Sequence, residues 1–173
     1  YLFEANIRYD GSSRFRSDKR WNWFPSFSAG WNIAKEPFWG SLKNYVNTLK
    51  IRASYGSLGN QNTGSWYPTY QSLGVYINNG TWLQNGKATN TAYSPGLISS
   101  RLTWERVKSY NVGVDFGAFD NRLTGYIESY SRYTTDMIGP AQELPGVLGT
   151  AVPSTNNTDL RTYGFDFEIQ WKD

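Results

Sequence analysis

Ten residues near the C-terminal end, 163–172, read YGFDFEIQWK. Tyr163, Phe165, Phe167, Ile169 and Trp171 share one parity, and Gly164, Asp166, Glu168, Gln170 and Lys172 the other. Successive side chains of a strand point to opposite faces, so this run predicts a strand with one apolar and one largely charged side. The alternation recurs in LFEANIRYD (2–10), FPSFSAGWNI (24–33), LKIRASYGSLG (49–59) and SYNVGVDFGAF (109–119). It weakens in LTGYIESYSRY (123–133), where Tyr126 and Tyr130 share a parity with Glu128 and Arg132. Strands of soluble domains average about 5–6 residues, whereas about 9–11 tilted residues cross a bilayer. These runs fit the second length.

The connectors also differ among themselves. Those at 10–24, 57–101 and 135–161 are long, and FDNRL near 118–121 is a tight turn. Pro37 opens a short predicted helix in the 34–48 connector, with Phe38, Leu42, Tyr45 and Val46 on one face. From about Leu58 to Ser100 the periodicity fades, and Asp136 to Asp159 is irregular around Pro140, Pro145 and Pro153. Irregular spans of this length usually carry function.

Composition removes several classes. Cysteine and histidine are both absent, so zinc sites, disulfides and His-dependent catalysis do not arise within this chain. A net charge of +3 is too small to single out a polyanion, and no nucleic-acid partner is expected. No apolar run approaches the roughly 18 residues of a membrane helix. The first residue already lies in a strand pattern with no leader before it, so a piece of a longer chain is expected.

Two readings of the alternation stay open at this point. In a secreted β-sandwich the apolar faces meet in a core and the charged faces meet water. In an outer-membrane barrel the apolar parity faces lipid, and Glu4, Asn6, Arg8, Lys50, Arg52, Asp115, Glu128, Asp166 and Glu168 line the lumen. Arg or Lys on a lipid face costs about 2–4 kcal/mol at the midplane, which would enforce the parity. The barrel also accounts for aromatics at both strand ends: Tyr9, Trp21, Trp23 and Tyr55 at one, Trp31, Phe116 and Trp171 at the other. Amphipathic rings prefer membrane interfaces.

RYDGSSRF followed by RWNWFPSFSAGWNI, then LKIRASYGSLGNQN, LTWERVKSYNVGVDFGAFDNRLTGYIESYSRYTTDMI and RTYGFDFEIQW, resemble the SusC/RagA family of TonB-dependent outer-membrane transporters. The resemblance implies an all-β antiparallel segment, residues 1–173, from the C-terminal part of a 22-stranded, plugged barrel with long extracellular loops. The plug and the N-terminal strands would lie outside this chain. It further implies a SusD-like surface lipoprotein as a lid, a TonB energising complex acting through the plug, and an oligosaccharide or peptide as substrate. Outer-membrane lipid and lipopolysaccharide would surround the barrel. Neither catalysis nor a cofactor is implied.

Within that frame, Trp66, Tyr67, Tyr70, Tyr76 and Trp82 are the candidates for substrate or lid contact. Asn60 and Gln61, with Asn62 and Asn79, offer hydrogen bonds beside them. Arg14, Arg16, Lys19 and Arg20 form a basic run suited to lipopolysaccharide phosphates or to plain solvation. Asp166 and Glu168 stand at i and i+2, about 6–7 Å apart along a strand. Paired carboxylates at such separations hydrolyse glycosides, so a secreted β-sandwich glycoside hydrolase or carbohydrate-binding module is the rival. The plainer expectation is that both acids pair with bases of neighbouring strands. The Asn-x-Thr matches at Asn79 and Asn156 are chance in a bacterial barrel.

Overall fold

The computed structural model describes residues 1–139, 143 and 145–173. Pro140 lies outside them. Six strands make one antiparallel sheet: β1 (Leu2–Gly11), β2 (Trp21–Asn32), β3 (Val46–Asn60), β8 (Glu105–Ala118), β9 (Leu123–Ile138) and β10 (Asn156–Trp171), each beside its predecessor in this series. Between β3 and β8 lies a nested pair of hairpins, with β4 (Gly74–Tyr76) on β7 (Thr91–Tyr93) and β5 (Leu83–Gln84) on β6 (Lys87–Ala88). No helix is long and apolar enough to cross a membrane, which says nothing of strands.

Register carries the two-faced pattern across the sheet. Phe27 faces Tyr55, Tyr55 faces Tyr110, Tyr110 faces Ser131 and Ser131 faces Tyr163. One residue further along, Ser28, Ser54, Asn111, Tyr130 and Gly164 form a polar row. The weak parity of β9 is therefore real, and Tyr126 and Tyr130 do stand on the polar side. Tyr130 fits because its neighbour is Gly164, where a Cβ would lie 2.7 Å from the phenol oxygen.

No second sheet covers the apolar face among the described residues. Phe165, Phe167 and Ile169 are 77%, 76% and 65% exposed, as no sandwich strand would leave them. The buried cluster lies instead at one end of the sheet: Phe15, Phe24, Leu102 and Trp104, with Ile138 against it.

The strands run further than the sequence pattern indicates. Asp10 and Gly11 stay paired with Asn22 and Trp21, so the first long loop shrinks to 12–20. The second becomes 61–104 and the third 139–155, because β3, β9 and β10 all overrun the alternating stretches. These three loops share one end of the sheet. The other end holds the 33–45 connector and the turn between β8 and β9.

The connector does hold the short helix expected from Pro37, but in 3-10 form. It forms two 3-10 turns, Ile33–Lys35 and Pro37–Leu42, while Val46 already belongs to β3. Phe38, Leu42 and Tyr45 are exposed and so have no packing to hold an amphipathic helix. Trp39 instead donates its indole N–H to the Val46 carbonyl at 3.0 Å. In the neighbouring β8–β9 turn Phe119, Asp120 and Asn121 all have positive φ, a costly run for residues with a Cβ. Asn47 offsets that cost by accepting from the Asp120 N–H at 2.8 Å.

Gly59 is required by a close approach. A Cβ there would lie 2.1 Å from the ring of buried Phe24. Gly59→Ala is expected to cost about 1–3 kcal/mol through overpacking, whereas Gly56→Ala, with nothing within 4 Å of its Cβ, should change stability by less than about 1 kcal/mol. Guanidinium unfolding midpoints of the intact protein check this pair.

Candidate functional site

Two regions carry the sequence-predicted residues: the polar face of the sheet and the loop end above it. On the polar face Arg52 is the hub. Its Nε lies 3.1 Å from the Asp115 carboxylate and its Nη2 2.5 Å from that of Glu128. Strand order makes this possible, since β3, β8 and β9 are adjacent and Arg52 faces Gly113, which leaves the guanidinium room to lie across β8. Tyr126 stands 6.0 Å from the same guanidinium.

Elsewhere on this face Asn6 donates to Glu4 at 2.8 Å, Arg8 pairs with Asp10, and Lys50 stands opposite Asp115. Asp166 and Glu168 do not find the bases expected for them. Asp166 faces Glu128, already taken by Arg52, and Glu168 faces Tyr126. Neither has an ion pair among the described residues. Asp166, Glu128, Tyr130, Arg132, Thr162, Ser109 and Asn111 line a polar groove of about 450 Å³ across β8, β9 and β10.

At the loop end, the 12–20 loop is not a free basic tip. Phe15 is fully buried in the cluster with Phe24, Leu102 and Trp104. Arg14 donates to the Gln61 carbonyl at 3.1 Å and stacks its guanidinium 4.6 Å over the Trp66 ring. Its own carbonyl accepts from Thr69 at 3.2 Å. Lys19 donates to the Arg101 carbonyl at 3.0 Å, and the Trp104 indole bridges the carbonyls of Lys19 and Arg20. Backbone groups that a loop would otherwise leave to water are thus paired between the two loops.

The candidate aromatics divide into two groups. Trp66, Tyr67 and Tyr70 sit on the first leg of the long loop beside Asn60 and Gln61, with Tyr67 and Tyr70 edge to face at 6.2 Å. Tyr76 lies on β4 against Tyr93 at 5.1 Å. Trp82, in the turn before β5, touches no other ring among the described residues and is 61% exposed. Asn60 donates to Glu105 at 2.7 Å, and Glu105 accepts the Ile138 N–H at 3.1 Å. Asn156, dismissed on motif grounds, bonds both the N–H and the carbonyl of Thr103 at 2.9 and 3.0 Å. Arg14, Phe15 and Asn156 therefore position the loops. Only the apolar Phe15 within a basic run hints at this in sequence.

On the apolar face ring residues stand near both strand ends and also in mid-strand, where Phe27, Phe165 and Phe167 lie. Tyr9 stacks between Trp21 and Trp23 at 5.1 and 4.2 Å, and Tyr55 packs on Tyr110 at 5.1 Å. Towards the connector end, Trp31 stacks on Tyr1 at 5.8 Å and donates to Glu36 at 2.9 Å. Phe116 covers Gly125, and Trp171 lies under Arg122 at 5.9 Å.

A sheet with one uncovered apolar face, one charged face and aromatic ends is a wall segment of a membrane β-barrel. The TonB dependent receptor-like β-barrel family matches residues 1–172, and the chain belongs to that family of outer-membrane receptors, similar to its SusC and RagA members. It is 35% identical to the TonB-dependent receptor SusC of Bacteroides thetaiotaomicron across 99% of this chain and 17% of that protein. TonB-dependent receptor P3 of Formosa agariphila is 33% identical across 98% of this chain and 16% of its own length. Among solved structures, the RagAB peptide importer in its closed-closed state superposes with a TM-score of 0.76 at 26% identity, over 96% of this chain and 17% of that one. The chain thus spans about one sixth of the length of the relatives it matches.

The Arg52 hub gives a direct test. Arg52→Gln strands Asp115 and Glu128 beside Asp166, and is expected to cost on the order of 1 kcal/mol in the intact receptor. Adding Glu128→Gln should recover part of that loss by removing the repulsion. Unfolding midpoints of the two variants measure it; strictly additive losses would contradict the network.

Proposed function

We propose that the intact protein containing this chain is an outer-membrane importer of oligosaccharides or peptides, working with a SusD-like surface lipoprotein. Residues 1–173 form part of its C-terminal barrel wall, and a plug carried elsewhere in the protein contacts TonB. Family membership supports this reading, as does the likeness to SusC and to the RagAB peptide importer. The observation that carries it is geometric: the two longest loops, 61–104 and 139–155, leave the same end of a two-faced sheet.

That end is outward in this reading, and the tight turn between β8 and β9 is periplasmic. Lys50, Arg52, Asp115, Glu128, Asp166 and Glu168, with Glu4, Asn6 and Arg8, then face the lumen and plug. Because Arg14 and Phe15 hold the base of the 61–104 loop, Trp66, Tyr67 and Tyr70 are presented on an ordered leg. An ordered aromatic binds with less entropy to lose than a mobile one. Trp82, exposed in the turn before β5 and stacked on no other ring among the described residues, suits the lid better than the substrate.

The test is Trp66→Ala and Trp82→Ala in the intact receptor. Trp66→Ala is expected to weaken retention of peptide or oligosaccharide about tenfold, and Trp82→Ala to reduce co-purification of the lipoprotein. Unchanged ligand retention and unchanged lipoprotein recovery in both variants would contradict the assignment.

A further inference from the structure

Three residues break the apolar face of the sheet in a single row. Lys108 of β8 pairs with Tyr133 of β9, and Tyr133 pairs with Arg161 of β10. By parity all three stand with Val112, Ile127, Phe165 and Phe167, on the side that has no lumen. Arg161 lies 4.9 Å over the Tyr133 ring and 5.3 Å over that of Tyr163. With Tyr110, Ser131 and Thr135 these groups line a surface cavity of about 530 Å³. Neither Lys108 nor Arg161 has a carboxylate within ion-pair distance among the described residues.

The height of the row explains how two cations persist on this face. From Trp171 to Arg161, β10 covers the roughly 9–11 residues with which a tilted strand crosses the apolar layer. Tyr110 and Tyr163 stand one step nearer the midplane. The cations therefore lie just past an interfacial tyrosine belt, at the loop end, where their stems can follow apolar surface and their heads reach the head groups. The cost of a lipid-facing charge falls towards that boundary.

We propose that Lys108, Tyr133 and Arg161 form a binding site on the outside of the barrel for the phosphate of an outer-leaflet glycolipid. Arg161 presents a planar fork of donors, Lys108 a second positive charge, and Tyr133 the ring that fixes the guanidinium between them. The basic 12–20 loop is the weaker candidate for the same ligand, since Arg14 and Lys19 already donate to the neighbouring loop. The inference rests on the reading above that the apolar face meets lipid and the long loops point outward.

The experiment is native mass spectrometry of the intact receptor in mild detergent, with bis-phosphorylated lipid A and its dephosphorylated form as probes. The wild-type protein should retain the phosphorylated lipid at least about tenfold better than the dephosphorylated one, with millimolar inorganic phosphate failing to displace it. Lys108→Gln with Arg161→Gln should abolish that preference, while Lys108→Arg with Arg161→Lys keeps it. Equal retention of the two lipids by the wild type would overturn the site, and needs no variant to fold. Displacement by inorganic phosphate would overturn the lipid as the source. Quenching of receptor tryptophan by brominated acyl chains is read in parallel. Its absence would instead overturn the lipid-facing assignment.

Discussion

The structure depends on six long strands keeping one register, so that alternate side chains stay on the same side from β1 to β10. A slip of one residue in any pair would move an entire strand's apolar set to the charged face. The register irregularities respect this. They occur only near strand ends, between Val46 and Thr48 and between Asn156 and Leu160, and the stretches between carry no shift. Every apolar row from Phe27 to Tyr163 and every polar row from Ser28 to Gly164 follows from that continuity. So does the position of Arg52, which reaches acids on two successive strands.

An exposed sheet face rich in phenylalanine and isoleucine would be an aggregation hazard for a protein in water. In a barrel wall it is the outer surface, and the polar face needs only to satisfy ions and hydrogen bonds within a wet interior. This explains why burial is so sparse. The buried cluster around Phe15 and Trp104 is needed where the chain leaves the sheet, because there neither lipid nor neighbouring strands order the backbone. It ties the short first loop to the long second one, and Asn156 ties the third strand pair to the same base.

Much of the sheet was legible in sequence because its period is two and its strands are long. The alternation in 163–172 located β10, and Tyr126 and Tyr130 were placed on the correct side although they broke the pattern. The strand ends were not legible. Asp10 and Gly11 read as a turn, yet cross-strand pairing with Asn22 and Trp21 carries them along the ladder. The short helix expected at Pro37 forms, but only as a 3-10 turn, for want of any surface to bury an amphipathic face. The loop base was also hidden, since a guanidinium stacked on Trp66 and an asparagine clamping Thr103 leave no periodic trace. Likewise Asp166 and Glu168 share a parity whatever they face; only the register shows that Glu128, not a base, stands opposite.

The most direct measurement of the central claim is a nitroxide scan along residues 163–171 of β10 in the intact receptor, reconstituted in lipid. Collision with oxygen should peak at 163, 165, 167, 169 and 171, and collision with a water-soluble nickel chelate at 164, 166, 168 and 170. A profile without two-residue alternation, or one of opposite phase, would contradict a wall whose apolar side faces hydrocarbon.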